Sequence, residues 1–450
     1  MSFNKGKIIK RQVLAITLIF SLMLVVPLIA AVITPVSKVF NTEVVSASEK
    51  AEKKEAVEAV ASKKEEGKEE GKKAEYPPAP KLKEKDYPKI KGYNSRISVW
   101  IVAQIHLFFA AFVLAVPIFV LVIEGVGIMT KDERYDHMAH EFIKVSMTAF
   151  SITATAGGIL AFMLVSFYPD FMKYLAGIFG SVMIIYAMLF LAESVCLYVY
   201  YYGWDNMRYG NRKWAHLTVG LMLNVVGMTI MVLSNSWATF MMAPSGVDAS
   251  GVFTGNVWEA IRGPLWNAVN LHRFIANIAY GGSVVGAYAA FKFLSAKSKE
   301  DRAHYDWMGY TANIIAISAL LPLPFAGYWL TKEIYAYSQT MGITLMGGAF
   351  AWLFITQAVL IGALFLSANY YLWCGMERIK GSERYTKYIK YIAMVIVACF
   401  LVWFTPHTLI MTPMEQKAIG SQHHPLLGPF GLMPAKNTAV NIMILFTFLS

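Results

Sequence analysis

Residues 266–275, Trp266-Asn267-Ala268-Val269-Asn270-Leu271-His272-Arg273-Phe274-Ile275, decide how the chain is read. They open an apolar run from Pro264 to Leu294, with a histidine and an arginine in its first three turns. A helix needs about 20 apolar residues to cross a bilayer, so this run can span with tilt. An ionisable side chain inside such a helix is costly and marks a functional position by default. Imidazole is also the commonest metal ligand among side chains. The plainer reading of His272 is a hydrogen bond to a neighbouring helix, and the rest of the chain has to decide between the two.

Composition sets the class. Of 450 residues 56% are hydrophobic and 15% are charged, with a mean hydropathy of +0.47. A soluble domain carries about 25% charged residues, so this chain is a polytopic membrane protein. Its 24 methionines, 11 tryptophans and 24 tyrosines fit lipid-facing and interhelical surfaces. The net charge of +11 is no sign of nucleic acid; its placement gives topology. Cys196, Cys374 and Cys399 lie in or beside apolar runs, and no CxxC or CxxCH occurs. That argues against covalently attached haem, iron–sulfur clusters and structural zinc.

Lys5, Lys7, Lys10 and Arg11 precede an apolar run from about Val13 to Ile33, so residues 1–47 read as an anchor helix, with a signal segment as the alternative. Residues 48–92 are rich in Lys, Glu and Ala and then in Pro, too polar to bury a core, and read as a charged disordered tether. The main domain, 93–450, carries apolar runs at about 98–124, 145–168, 173–201, 215–241, 264–294, 309–330, 342–375, 385–411 and 436–450. The expected fold is an all-α, polytopic transmembrane bundle of nine helices after the anchor.

Charge orients it. The loops after the first, third, fifth and seventh main helices carry basic clusters, among them Arg208, Arg212 and Lys213, Lys297, Lys299 and Arg302, and Arg378 to Lys390. The alternate loops hold one basic residue each, Arg262, Lys332 and Lys417. The N-terminus and the basic loops are therefore expected in the cytoplasm, the tether outside, in a bacterial-type inner membrane. On that topology His106, His272, Met341, Met346 and His407 all fall toward the outer ends of their helices. Four helices bringing imidazole or thioether groups to one level point to bound haem. His137, His140, His216, His304, His423 and His424 lie in loops or at helix ends, where solvation is the expected state.

The motifs along the bundle carry a resemblance. Ser95-Arg96 precedes His106; Leu191-Ala192-Glu193-Ser194 precedes Tyr202-Gly203-Trp204-Asp205; Asn235-Ser236-Trp237 precedes Pro244-Ser245-Gly246; Asn270-Leu271-His272 precedes Tyr280-Gly281-Gly282. In this order the chain from about Ser95 to Phe430 resembles subunit I of cytochrome bd-type quinol oxidases. The resemblance implies that His272, with Met346 (or Met341) as second axial ligand, holds a low-spin b-type haem. It also implies that His106 holds an open haem of the oxygen-reacting pair. Two or three haems follow, mainly haem b, with haem d an option for one, and a second membrane subunit of subunit II type as partner.

The chain departs from that pattern. Only about Leu330 to Met341 stands where the family has a long quinol-binding loop, with Lys332 and Glu333 its only charges. Ile185 stands at the position of the family's second glutamate. No carboxylate lies between Lys390 and Pro413, where the family has the glutamate ligand of a third haem; His407 is the nearest replacement.

Each assignment has a plainer counterpart. Arg273 pairs with a haem propionate or snorkels to the interface. Glu193, a better choice than Glu124, relays protons from the cytoplasm or makes an interhelical hydrogen bond. Trp237 and Trp266 line a haem pocket or form an interfacial belt. The function expected is a haem-containing oxidoreductase subunit that passes electrons from a low-spin haem to a second haem site; the resemblance implies quinol as donor and dioxygen as an acceptor. The alternatives are a non-oxidase relay from the quinone pool to an extracytoplasmic cytochrome, and a structural subunit with vestigial sites.

Overall fold

The computed structural model describes residues 79–80, 88–90, 93–347, 350–376, 379–406 and 433–450. The chain divides into two units, 1–77 and 78–450, and the described residues belong to the second. The anchor, most of the tether, His407, His423 and His424 lie outside the described residues.

A two-residue hairpin, β1 (Lys89–Ile90) and β2 (Tyr93–Asn94), leads into α1 (Ser95–Thr130). Asn94 caps α1, its side chain accepting from the Arg96 amide at 2.9 Å. Lys131, at φ 53°, ends the helix in the left-handed region. Asp132 then caps α2 (Glu133–Phe167). Pro169 starts α3 (Pro169–Tyr202) at a position where its missing N–H costs nothing. There follow a 3-10 turn at Asp205–Met207, α4 (Asn211–Met242), a short α5 (Val257–Ile261) and α6 (Trp266–Ser295).

Ser298 caps α7 (Lys299–Leu320), and a break at Leu321 and Pro322 separates it from α8 (Leu323–Tyr337). The short α9 (Gln339–Met346) precedes α10 (Ala351–Gly375), α11 (Glu383–Trp403) and α12 (Met433–Leu449). Among the described residues eight spans are long and apolar enough to cross a membrane, α7 and α8 together counting as one. The seventh apolar run of the sequence is thus two helices, and Met346 ends the shorter one.

α1 is the central post. From Ala115 to Val126 it is buried without interruption, while its first turns expose Trp100, Ile101, Ile105 and Phe108. Lipid is as apolar as leucine, so helices in a bilayer associate by close packing and polar contacts. Tyr280-Gly281-Gly282 on α6 supplies the close packing. A methyl on Gly281 would meet the Ala115 carbonyl oxygen at 2.7 Å, and one on Gly282 the Ala316 amide at 2.8 Å. The paired glycines therefore let α6 lie against α1 and α7 at once. Short turns make consecutive spans antiparallel, so α1, α3, α6 and α10 begin at one end of the bundle.

Candidate functional site

His106 lies three turns into α1 and turns toward α2. Its Nδ1 donates to the Thr153 carbonyl at 3.0 Å, since a carbonyl only accepts. That contact fixes the ring and leaves Nε2 with its lone pair, the arrangement a metal-binding histidine uses. Gly157, one turn on from Thr153, makes the room: a methyl there would come within 2.8 Å of His106 Cε1.

His272 lies in the second turn of α6. Its Nδ1 is sealed from solvent and has no hydrogen-bond partner among the described residues. Gly327 of α8 faces it, and a methyl there would touch Cε1 at 3.5 Å and Nδ1 at 3.6 Å. An unpaired buried nitrogen is costly in a protein interior. The imidazole therefore has unused ligating capacity, which a bound metal could take up. Phe108 and Tyr280 form an edge-to-face pair at 6.4 Å between α1 and α6, so the two histidine helices are neighbours.

Arg273 donates to Asn235 Oδ1 across the α4–α6 contact, and Asn235 in turn donates to Asn270 Oδ1 at 2.6 Å. One hydrogen bond leaves most of the five guanidinium N–H groups uncommitted among the described residues, enough for a bidentate carboxylate. Trp237 packs against Tyr186 at 5.1 Å, and its Nε1 is buried without an acceptor. Trp266 is different: its Nε1 donates to the Val232 carbonyl at 2.9 Å, a structural contact between α6 and α4.

Met346 is half-buried at the end of α9, and no described contact joins it to His272. Met341 packs instead on the cluster of Ala243, Leu265 and Ile334, together with Val269 and Leu330. Val269 is three residues before His272, so Met341 is the thioether brought to the His272 end of α6.

Glu193 is buried on α3 and borders a cavity of about 10 Å³, lined also by Val113, Pro117, Asn224 and Gly227. That volume holds roughly one water. Pro117 lacks an N–H, so the Val113 carbonyl beside the cavity loses its helical partner. Asn224 reaches across to the same kink, donating to the Pro117 carbonyl at 3.1 Å. No described hydrogen bond uses the Glu193 carboxyl.

A second polar cluster lies two turns farther along α3, about 10 Å from Glu193 at helical rise. Glu124 of α1 is fully buried and accepts from Tyr200 Oη, from His216 Nδ1 at 2.6 Å and from Lys213 Nζ at 2.8 Å. His216 Nε2 donates to the Tyr200 carbonyl at 2.8 Å. Lys213 also pairs with Asp136, which Arg208 meets at 3.0 Å and Trp204 Nε1 at 3.3 Å.

This corrects the expectation that His216 is solvated: it is fully buried. Lys213, counted as a loop charge, is nearly as buried. The sequence signal was the spacing of Lys213 and His216, which share one face at the start of α4. His140, another histidine expected in solvent, is half-buried and stacks on Trp204 at 5.0 Å.

Among the described residues no three His, Cys, Asp or Glu side chains gather as a metal cage. A haem needs only axial ligands from the protein, and His106 and His272 fit that demand.

The family model for "Cytochrome bd terminal oxidase subunit I" matches residues 94–351. A Bacillus subtilis (strain 168) protein described as a candidate cytochrome bd menaquinol oxidase subunit I is 24% identical over 197 residues, 43% of this chain and 44% of that protein. The chain thus matches less than half the length of that relative. The structure of bd oxidase from Geobacillus thermodenitrificans aligns with a TM-score of 0.51 at 16% identity, over 79% of this chain and 84% of that one, which shows a shared fold. With more than half its length matched by the family model, this multi-pass membrane protein belongs to the cytochrome bd terminal oxidase subunit I family.

Proposed function

We propose that the chain is the haem-bearing subunit of a membrane oxidoreductase that takes electrons from quinol and delivers them to dioxygen. The observation that carries this reading is the matched setting of two histidines. His106 and His272 sit on neighbouring helices that begin at the same end of the bundle. Each imidazole meets a glycine of a neighbouring helix, Gly157 or Gly327; the His106 bond to Thr153 leaves its Nε2 for iron, and His272 keeps a buried nitrogen without a partner among the described residues. Haem, when bound, supplies reversible one-electron chemistry.

The chain's own residues then divide the work. His272 holds the low-spin haem, with Met341 or Met346 as the second axial ligand. Arg273, steadied by Asn235, and the unpaired Nε1 of Trp237 offer N–H groups to its carboxylates. His106 orients the second haem through its bond to Thr153. Glu193 and the cavity beside it hold a proton near that site, and the Glu124–His216–Lys213 cluster lies on the route from the opposite end. His407 would complete a third haem site.

The basic loops support a cytoplasmic N-terminus and an external tether. A second membrane subunit fits the exposed start of α1, where Trp100, Ile101, Ile105 and Phe108 have no cover from the described residues. The menaquinol oxidase name of the Bacillus subtilis relative supports quinol as donor.

One observation favours a second reading, a relay from the quinone pool to an extracytoplasmic cytochrome. Residues 338–350 join α8 to α10 with only the eight-residue α9, where the family resemblance predicts a long quinol loop. A pyridine haemochrome assay with a reduced-minus-oxidised spectrum, repeated under carbon monoxide, separates the cases. Two or more haems with one binding carbon monoxide support the oxidase. Haem blind to carbon monoxide supports the relay. A purified chain without haem refutes both.

A further inference from the structure

The start of α12 holds a cation that the fold leaves unanswered. Lys436 stands in the first turn, and Lys436, Ala439, Met443 and Thr447 form the buried stripe of the helix. A lysine near a helix end normally snorkels to water along its flexible stem. Lys436 instead is 2% exposed. Its ammonium lies 4.2 Å from the centre of the Phe354 ring on α10 and has no hydrogen-bond acceptor among the described residues. A ring face attracts the charge and accepts none of its three N–H groups in the ordinary way.

A second, independent feature has the same sign. The N-terminus of this 17-residue helix carries partial positive charge from the helix dipole, and its first turn contains no acidic residue. Side chains on a helix lean back toward its N-terminus, so the lysine stem leans toward that same positive end. Cation and helix end therefore converge with no anion from the described chain, and a buried charge without a partner is strongly disfavoured.

We propose that Lys436 and the first turn of α12 form a binding site for an anionic oxygen group, a carboxylate or a phosphate, carried by a bound molecule. Two sources present that chemistry at the end of a membrane bundle: a haem propionate and the headgroup of an anionic phospholipid. The propionate arm rests on the haem reading above; the headgroup arm does not.

The experiment compares wild type, Lys436→Met and Lys436→Arg purified in mild detergent, by redox titration of each haem and by native mass spectrometry of bound phospholipid. If a propionate is the occupant, Lys436→Met lowers the midpoint potential of one haem, because losing the cation favours the more positive oxidised iron. Lys436→Arg restores it, and bound lipid is unchanged. If a headgroup is the occupant, Lys436→Met loses one anionic phospholipid per chain, Lys436→Arg keeps it, and the potentials stay put. Unchanged potentials together with unchanged lipid in folded Lys436→Met overturn the site. Should that variant fail to accumulate, Lys436→Gln is read in the same way. A wild-type chain without haem would refute the proposed function, and the lipid measurement would still decide this site.

Discussion

Gly157 lies beneath the imidazole of His106, so close that a single methyl at 157 would come within 2.8 Å of Cε1 and 3.1 Å of Nδ1. Contacts that short require something to move. The backbone of α2 is fixed by its helical hydrogen bonds, so the ring has to give way. Gly157→Ala is therefore expected to break the bond from His106 to the Thr153 carbonyl and rotate Nε2 away from its present direction. The haem proposed at His106 should then change its spectrum or its response to carbon monoxide, while the haem proposed at His272 keeps its signal. A spectrum identical to wild type, with full haem content, would place the ligand elsewhere.

His272→Ala removes the only imidazole on α6. The expected outcome is loss of one low-spin haem signal in the reduced-minus-oxidised spectrum, with the protein still present in the membrane fraction. Gly327→Ala is the gentler companion. Its methyl would only touch the ring, at 3.5 Å, so the haem should stay while its potential shifts. An unaltered spectrum in His272→Ala would refute the central assignment.

Glu193→Gln keeps the shape of the side chain and removes its exchangeable acid. Oxygen consumption driven by quinol should fall about a hundredfold or more, the low end for losing a positioned acid–base group. Haem content should stay normal. Gly227→Ala offers a cross-check, since a methyl at 227 would sit 2.9 Å from Glu193 Oε1 and fill the cavity. Full turnover in both variants would leave the carboxyl a structural role only.

Glu124→Gln leaves Lys213 and His216 facing a neutral amide in the interior. Removing one member of a buried ion network costs about 3–5 kcal/mol, more than the net worth of the pair itself. Thermal unfolding in detergent should therefore move down clearly. Adding Lys213→Gln to Glu124→Gln should cost much less than the sum of the two single changes, because they share the same contact. Strict additivity would show that the two groups are not coupled.

Asp248, in the loop between α4 and α5, accepts from Ser250 Oγ at 2.7 Å and from the Ser250 and Val252 amides at 2.9 Å each. The Ser250 hydroxyl first, then the Val252 amide, hold its carboxyl below the ordinary carboxylate value. A folded-state value below the unfolded one means the loop is fully supported above the unfolded value near 3.8. That support is lost as the pH falls through the lower folded value. Amide exchange over 247–253 should accelerate in that acid window in wild type, and already at neutral pH in Asp248→Ala. Equal protection in the two proteins would refute the role.

What the sequence by itself determined is the class, the spans and the family. Hydropathy and charge act over whole segments of some 20 residues, so errors at single positions average out. The runs at 98–124, 145–168, 173–201, 215–241 and 264–294 each lie essentially within a described helix. Motif order along the chain carried the family resemblance without any knowledge of contacts.

Tertiary structure alone decided which polar residues meet. His216 and Lys213 look like loop residues in the sequence because they begin a helix next to a basic stretch. Their burial depends on Glu124, 92 and 89 positions away, whose carboxylate offers the acceptors they need. The end of α9 at Met346, which leaves Met346 on a helix apart from α10 and Met341 on the cluster beside Val269, is equally invisible to a hydropathy window. Lys436 is the sharpest case. Its stem would reach water from an isolated helix, and only the packing of α12 within the bundle, with the ammonium over the Phe354 ring, keeps it inside. Apolar content is a property of a segment and is additive along it. The partner of a buried charge is a property of two distant positions at once, and only the folded chain brings them together.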